Sequence, residues 1–371
     1  NRPCSVMSSA TAQKRSKRQS KIRVSCSASG GESCGQKPID FISIMSKLSD
    51  RQIKGQFDQI TNPGRLLAQA FMENLDKNRF PVPILDKHRV KLSEKIPGDS
   101  TYLPATYARF IRDDYTIIQS PTKQNVVDFW RMVWQDGCKL IVSVVESTNI
   151  SDSDALKCYP YWPQKVNKSI DIANGRFTIK LSRKKEEKGY VVYELLVSTH
   201  EEHEGASEGN PSKNPKDDAP GSAAGTGEPD DATTPRKIFL LHLNEWNESK
   251  WPDVDGIASC VAFLHRKWKQ TVIQATDDYV PPVVIQGHAA INRSCAIWVM
   301  ANLVKQVEQK ECFDVEYLMR SLIRIRPGAL THRTVFFATF AIAYRLASML
   351  GWSSPSDAKE RIKEIKSAAL Q

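Results

Sequence analysis

The sequence predicts one α/β domain. Four runs rich in β-branched and aromatic residues are typical of buried strands: 140–145, 190–197, 238–243 and 283–285. Five segments have the apolar spacing of amphipathic helices: 123–136, 257–271, 294–309, 314–324 and 333–350. With 371 residues, of which 40% are hydrophobic, the chain is long enough to bury one large core. Strands that alternate with helices favour the α/β class.

The first segment of the chain, residues 1–38, is rich in Ser, Lys, Arg and Gly, and its densest basic patch is 14–21. Its low apolar content predicts a disordered basic tail, which serves either as a solvated segment or as a localisation or partner-binding signal. Apolar positions between 41 and 75 suggest helices that cover the edge of the domain. Because the sequence starts at Asn1 and not at a methionine, we expect a longer parent chain.

The main domain is expected over residues 39–352, followed by a C-terminal helical tail over 353–371. An acidic stretch rich in Gly, Pro and Ser, residues 201–236, interrupts the domain between two predicted strands. It carries nine acids against three bases, a net charge of −6, while the whole chain carries +10, which leaves +16 for the rest. The stretch is too long and too polar to pack as a strand connection, so we predict a disordered insertion.

Several functional classes are disfavoured by composition. No window of about 20 apolar residues occurs, so we expect no membrane span. The eight cysteines have no Cys-x-x-Cys spacing, which favours reduced thiols in a cytosolic protein over disulfides or a zinc site. We therefore expect no cofactor and no metal. The basic body suits an acidic or phosphorylated partner, and no nucleic-acid motif accompanies it.

The most informative run of the sequence is 283–295, which reads as strand, loop and helix. An apolar β-branched stretch comes first, then small residues, then Arg293 and a long amphipathic segment. Such a loop can direct successive backbone N–H groups and a helix N-terminus at an anion, while the guanidinium offers a planar fork for two phosphate oxygens. The run therefore predicts a phosphate site at the loop.

The same run is similar to the signature of the classical protein tyrosine phosphatases, Val-His-Cys-Ser-Ala-Gly-x-Gly-Arg-[Ser/Thr]-Gly, when Arg293 is placed on the Arg of the family. Five further family motifs follow the family order in this chain: Asn78-Arg79-Phe80, Tyr115-Thr116-Ile117-Ile118-Gln119-Ser120-Pro121, Asp128-Phe129-Trp130-Arg131-Met132-Val133-Trp134, Lys157-Cys158-Tyr159-Pro160-Tyr161-Trp162-Pro163 and Trp251-Pro252-Asp253. The resemblance covers roughly residues 55 to 350. It implies a protein-tyrosine-phosphatase-like domain with a highly twisted mixed sheet flanked by helices.

The departures from the family pattern concern the chemistry. Gln286-Gly287 stands where the family has His-Cys, and glycine has no thiolate to attack phosphorus. The family's Gln-Thr-x-x-Gln, which positions the hydrolytic water, begins here at Thr331 and ends at Val335, so both glutamines are missing. The resemblance therefore implies a catalytically inactive member, a pseudophosphatase, with Gln286, Gly287, Asp253, Thr331 and Val335 as degenerate positions.

Phosphate or phosphotyrosine binding is predicted for Arg293 and for the loop before it, which consists of Gly287, His288, Ala289, Ala290, Ile291 and Asn292. The alternative for Arg293 is an ion pair with an acidic neighbour. Ala290 and Asn292 stand where the family has Gly, and each adds a Cβ to a loop that must approach its ligand closely. His288 is larger than the family's Ser, and we expect it to form local hydrogen bonds.

Four residues outside the loop complete the predicted site. Phe80 stands where the family stacks a Tyr on the phosphotyrosine ring. Trp251 and Asp253 belong to the mobile loop that carries the family's general acid, and one extra residue separates Asp253 from Gly256. Lys157 is expected either to contact the Asp253 loop or to lie on the surface.

These features lead to one functional hypothesis and one rival. The hypothesis is a cytoplasmic signalling protein that binds a phosphotyrosine-containing protein or peptide, such as a kinase activation loop, and shields or sequesters it. The rival is a scaffold that no longer binds phosphate and uses another surface. Residual enzyme activity is the third class.

Overall fold

The computed structural model describes residues 68–110, 115–150, 157–200, 234–274, 279–308 and 315–371. The predicted tail 1–38, most of the helices expected between 41 and 75, and the acidic stretch up to residue 233 lie outside these ranges. All described residues belong to one compact unit, Gly35–Gln371.

Nine strands in the described residues form one mixed sheet. They are β1 (Arg89–Lys91), β2 (Tyr102–Tyr107), β3 (Tyr115–Gln119), β4 (Leu140–Ser143), β5 (Ser169–Ile172), β6 (Phe177–Glu187), β7 (Tyr190–Thr199), β8 (Arg236–His242) and β9 (Val283–Gly287). Their order across the sheet is β1-β2-β3-β9-β4-β8-β7-β6-β5. The four central strands, β3, β9, β4 and β8, are parallel, and the outer strands pair antiparallel.

The central strands are apolar throughout because both of their faces are covered. Ile117 and Ile118 are neighbours on β3, yet they belong to two different buried clusters, one on each side of the sheet. Val284 and Ile285 on β9 divide in the same way. This period of two places successive side chains in opposite layers, which explains why these strands appear in the sequence as short continuous apolar runs.

Seven helices accompany the sheet in the described ranges: α1 (Gln69–Met72), α2 (Val126–Gln135), α3 (Val254–Gln274), α4 (Arg293–Glu308), α5 (Val315–Ile325), α6 (Arg333–Met349) and α7 (Pro355–Leu370). Helix α2 buries its aromatic residues in the smaller cluster, whereas α3 to α6 build the larger one. Helix α7 lies within the segment predicted as the C-terminal helical tail, 353–371, and its Ile365 is buried in the larger cluster.

The predicted fold class, an α/β domain with a mixed sheet flanked by helices, is confirmed. The five predicted helices and four predicted strands are present with shifted ends. Arg236 was assigned to the acidic insertion, but it is the first residue of β8. Strand β6 was missed because its outer half, residues 182–187, is almost entirely charged and pairs as a hairpin extension with β7.

The described residues bear on two predictions, one about the cysteines and one about membrane-spanning helices. Cys138, Cys158, Cys260 and Cys295 are free and buried, as expected for reduced thiols. Among the described helices, none combines the length and the apolar character that a bilayer crossing requires.

Candidate functional site

The predicted loop lies at the carboxyl edge of the parallel strands. Strand β9 ends at Gly287, residues 288–292 form the loop, and α4 begins at Arg293. The carboxyl ends of neighbouring parallel strands β3 and β4 flank it. Ligands of open α/β sheets bind at this edge, since the strand-to-helix connections there form a crevice.

The backbone of the loop is fixed by hydrogen bonds to its carbonyl groups. Every carbonyl from residue 286 to residue 292 accepts a hydrogen bond from protein outside the loop or from the first turn of α4. The donors are Val144 N to Gln286 O (2.9 Å), Ser120 N to Gly287 O and His288 O (2.8 and 3.4 Å), the Arg326 guanidinium to Ala289 O and Ala290 O (3.2 and 2.9 Å), Leu330 N to Ile291 O (2.7 Å) and Ala296 N to Asn292 O (2.9 Å).

The N–H groups of residues 288–293, by contrast, donate to no acceptor in the described part of the protein. Buried or half-buried backbone donors are rarely left without a partner. Successive N–H groups that face one space at the start of a helix form a nest that attracts anions. The loop therefore has the geometry of a cradle for a phosphate-like group.

Arg326 binds the carbonyls in the middle of the loop, a role that no sequence motif indicated. Its side chain is 0% exposed and donates to Ala289 O, to Ala290 O and, over 2.9 Å, to Thr106 Oγ1. Burial lowers its pKa to about 10, so it stays charged at neutral pH. By donating to two successive loop carbonyls, the Arg326 guanidinium fixes the orientation of the peptide groups in the middle of the loop.

Arg293 is buried under the loop and already has acidic partners. Its Nε donates to Glu248 (3.1 Å), its Nη1 lies 3.7 Å from a Glu146 carboxylate oxygen, and Nη1 also donates to the carbonyl of Trp246. Its Nη2 has no hydrogen-bond partner in the described residues. The alternative raised for Arg293, pairing with an acid, is thus present in the structure.

This pairing changes the expected mode of anion capture. The sequence predicted a guanidinium fork that is available for two phosphate oxygens. Glu248 holds one side of that fork, and its other carboxylate oxygen accepts from Asn292 Nδ2 over 3.3 Å. Two-point binding that includes Nε requires Glu248 to leave. Glu248 and Glu146 lie 45 and 147 residues before Arg293, so no local pattern could have indicated them.

The side chains of Ser294 and Val144 fill the space next to Gly287 that a Cβ at this position would enter. A Cβ at position 287 would lie 2.8 Å from Val144 Cγ2 and closer still to Ser294 Oγ. The Ser294 side chain is 1% exposed, and its Oγ has no hydrogen-bond partner in the described residues. Ser294, in the first turn of α4, thus has a buried hydroxyl beside Gly287 whose hydrogen-bonding capacity is unused among the described residues.

Gln286 is a structural residue with satisfied hydrogen bonds. It is 0% exposed, donates to Ser120 Oγ over 2.5 Å and accepts from Tyr161 Oη over 3.2 Å. The carboxamide therefore ties β9 to the end of β3 and to the Tyr161 segment. A carboxamide does not ionise near neutral pH, so Gln286 cannot act as an acid or a base.

Ala290 and Asn292, at the two positions where a Cβ was expected to crowd the loop, differ in backbone conformation. Ala290 has a φ of 54°, a left-handed conformation that costs roughly 1–2 kcal/mol for a residue with a Cβ. Asn292 has no such strain, and its Oδ1 accepts from His332 N over 3.0 Å. The Asn292 carboxamide thus lies between Glu248 and the segment before α6.

His288 stays neutral at physiological pH. Burial, together with the positive charges of Lys157, Arg79 and Arg293, lowers its pKa to about 4. The ring packs edge-on against Phe80, with ring centroids 5.7 Å apart. In the described residues His288 makes no local side-chain hydrogen bond, so that expectation is wrong.

Phe80 lies beside the loop, as predicted from its motif. Gln119 at the end of β3 holds it there, since its Oε1 accepts from Phe80 N (3.0 Å) and its Nε2 donates to Phe80 O (2.8 Å). The ring is 39% exposed and available for stacking on a ligand ring. Lys157 is close enough to His288 for its charge to lower the pKa of that ring.

Asp253 has a structural role in this conformation. Its Oδ1 accepts from Gly256 N over 3.1 Å, and its other oxygen lies against the tight turn at Gly189, which has a φ of 86°. Among the described residues, its carboxylate forms no hydrogen bond or ion pair with the 287–293 loop. Asp253 therefore caps the start of α3, while the half-buried Trp251 two residues before it packs against the larger cluster.

The two positions of the family's water-positioning glutamines carry no replacement. Thr331 Oγ1 donates to Gly328 O over 3.2 Å, and Val335 is 1% exposed in the core. In the part of the chain that the structure describes, no group of three or more His, Cys, Asp or Glu is placed to hold a metal ion.

Replacing Arg326 tests the origin of the cradle. We expect Arg326→Met to lower the free energy of unfolding by about 3 kcal/mol, because it leaves two loop carbonyls and a buried hydroxyl without donors. Urea denaturation measures the change. Arg324→Met, an exposed arginine two residues earlier, is the matched control and should shift stability by less than about 0.5 kcal/mol. Equal losses in the two variants would contradict this role of Arg326.

Comparisons with known proteins agree with the geometry. The sequence profile of the family described as "Protein-tyrosine phosphatase" matches residues 74–345. The chain is 25% identical over 249 residues to Tyrosine-protein phosphatase 69D of Drosophila melanogaster, covering 66% of this chain and 14% of that protein. It is 21% identical over 302 residues to human Tyrosine-protein phosphatase non-receptor type 14, covering 77% of this chain and 22% of that protein.

A shorter match joins the chain to Tyrosine phosphatase-like protein H1 of Microplitis demolitor bracovirus, with 31% identity over 169 residues, 43% of this chain and 47% of that protein. The chain spans less than a quarter of the length of the fly and human relatives. The profile match covers well over half of the chain and includes β9, the loop and Arg293. The chain belongs to the protein-tyrosine phosphatase family.

Proposed function

We propose that this protein is a catalytically inactive tyrosine phosphatase that binds phosphotyrosine-containing signalling partners and shields them. The binding half of the proposal rests on one observation: the carbonyls of residues 286–292 all accept hydrogen bonds, whereas the N–H groups of 288–293 have no acceptor among the described residues. That arrangement favours an oxyanion at the start of α4. Phe80 supplies an exposed ring at the same loop for an aromatic phosphoester.

The inactive half of the proposal rests on what surrounds the place of the family's thiolate. Gly287 has no side chain, and Ser294 and Val144 occupy the space that a side chain there would enter. His288 is neutral, and in the described residues it has no hydrogen-bonded acid or base that would turn it into a nucleophile. Thr331 and Val335 cannot orient a water molecule as two amides would.

Binding without hydrolysis is physically consistent with these replacements. A thiolate beside a phosphate dianion is repulsive, so its absence removes an unfavourable interaction. The partner of such a domain keeps its phosphate and is protected for as long as the complex lasts. A phosphorylated kinase activation loop in the cytoplasm is one example of such a phosphotyrosine-containing partner.

The Glu248 contact supports the scaffold as the second candidate function. Its carboxylate already interacts with Arg293 Nε and Asn292 Nδ2, so it satisfies in part the same donors that a phosphate would use. If Glu248 never leaves, the cradle stays closed to a dianion, and the protein works through another surface. Phosphopeptide binding and the response to Glu248 separate the two candidates.

The central experiment titrates the purified protein with a phosphotyrosine peptide and with its unphosphorylated twin by calorimetry. We expect only the phosphopeptide to bind. Arg293→Lys should weaken it by at least about tenfold, because Lys keeps the charge beside Glu248 and Glu146 but offers a point donor in place of a fork.

Arg293→Lys is chosen over a neutral replacement because it leaves no buried carboxylate unpaired, and a matching thermal melt verifies that it folds. Equal affinity for the two peptides, or affinity that Arg293→Lys leaves unchanged, would rule out phosphate capture at this loop. The scaffold would then be the better account of the protein.

Changing Glu248 tests whether it competes with the ligand. We expect Glu248→Gln to tighten phosphopeptide binding by about tenfold, because it removes a negative charge a few ångströms from a dianion. Glu245→Gln, which makes the same charge change at an exposed position of the same loop, should alter the affinity by less than about twofold. If the two variants behave alike, Glu248 is not a competitor.

Restoring the thiol tests the inactive half of the proposal. We expect Gly287→Cys to hydrolyse a generic aryl phosphate no faster than the parent protein, because the new Cβ is crowded by Ser294 and Val144 and the water-positioning amides remain absent. Initial rates with p-nitrophenyl phosphate provide the measurement. Robust turnover by this single variant, or by the unmodified protein, would contradict the proposal.

A further inference from the structure

The Glu248 carboxylate is held beside the loop by two buried donors. Arg293 Nε donates to its Oε1 over 3.1 Å, and Asn292 Nδ2 donates to its Oε2 over 3.3 Å. Arg293 and Asn292 are 4% and 7% exposed, and the His332 N–H fixes Asn292 by donating to its Oδ1 over 3.0 Å. Withdrawal of Glu248 leaves both buried donors without an acceptor unless the ligand reaches the two of them.

The guanidinium of Arg293 has one nitrogen left for a ligand. Nε and Nη1 donate to Glu248 and to the carbonyl of Trp246, whereas Nη2 has no hydrogen-bond partner among the described residues. Nε and Nη2 are neighbours in a rigid planar fork that matches the two oxygens of one anion. A phosphate oxygen on Nη2 therefore lies next to the Glu248 oxygen on Nε, at about the 2.5–2.7 Å of an O–H···O⁻ hydrogen bond.

Two oxygens at this spacing need a proton between them. An ionised carboxylate and a phosphate dianion can only accept hydrogen bonds, so they repel each other at contact distance. When two acidic groups share a site, one of them keeps a proton to a higher pH than it would alone. The second ionisation of a phosphate ester has a pKa of about 6, so a small increase brings the shared proton into the neutral range.

The other charged and titratable groups around Glu248 attract a dianion as a whole. Burial and nearby cations lower the pKa of His288 to about 4, and burial raises the pKa of the Cys295 thiol to about 12, so both are neutral near pH 7. The remaining groups come from the surrounding segments and from the segment of Glu248 itself: Arg79, Lys157, Arg293, Arg326, His332, Glu146, Glu245 and Lys250. The cations outnumber the acids, yet the group next to Nη2 is still a carboxylate.

We propose that the loop binds phosphotyrosine together with one proton, which Glu248 and the phosphate share. This inference rests on the proposed function and extends it, because Glu248 becomes a hydrogen-bonding part of the occupied site instead of a group that has to leave. The ligand is then a phosphate monoester that carries one proton when bound, and its affinity rises as the pH falls. A site for the dianion alone would instead lose affinity below the phosphate pKa of about 6.

The experiment measures phosphotyrosine-peptide affinity by calorimetry at several pH values for the parent protein, Glu248→Gln and Glu245→Gln. The ratio of affinities between a variant and the parent cancels the titration of the ligand itself. For Glu248→Gln we expect this ratio to fall from about tenfold near pH 7.5 to less than about twofold near pH 5.5, because protonation removes the charge that Gln lacks. Glu245→Gln, at an exposed position, is the control and should stay within about twofold of the parent throughout.

The same titrations near pH 7 in two buffers with different ionisation enthalpies count the protons taken up. We expect the parent protein to take up about half a proton or more per peptide beyond the uptake of Glu248→Gln. A ratio that does not change with pH, or equal uptake by the two proteins, would overturn proton sharing while phosphate capture stands. Absence of phosphopeptide binding at every pH would overturn the proposed function and this inference together.

Discussion

The functional site depends on the direction in which one short loop turns its peptide groups. The carbonyls of residues 286–291 accept hydrogen bonds from Arg326, Ser120, Val144 and Leu330, whereas the loop N–H groups have no acceptor in the described part of the chain. Two of these donors follow directly after β3 and β4, so the central parallel sheet fixes the loop from both sides. The cradle is a product of the fold and does not require a catalytic side chain. This explains how a site of this shape can exist in a chain with glycine at position 287.

A second constraint is the charge balance around Arg293. One guanidinium faces two carboxylates, Glu248 and Glu146, so the positive charge of Arg293 is more than offset within the protein. A phosphate group must displace Glu248 or approach through Nη2 and the backbone N–H groups. The first route lowers the net binding free energy, because the ligand has to offset the loss of an existing ion pair. Under the proposed function, stacking on Phe80 would let a phosphotyrosine offset this loss more readily than inorganic phosphate, since it adds ring contacts that do not involve Arg293.

The sequence was sufficient for the parts of the structure that depend on local pattern. The apolar runs at 140–145 and 283–285 indicated central strands, and the position of Arg293 after a strand indicated a helix-start site. The charged half of β6 could not be recognised, because its side chains face solvent and only pairing with β7 makes it a strand. Arg326 and Glu248 were missed because their role comes from contacts with residues 36 to 45 positions away. The left-handed backbone of Ala290 is likewise imposed by tertiary hydrogen bonds, against the preference of the residue.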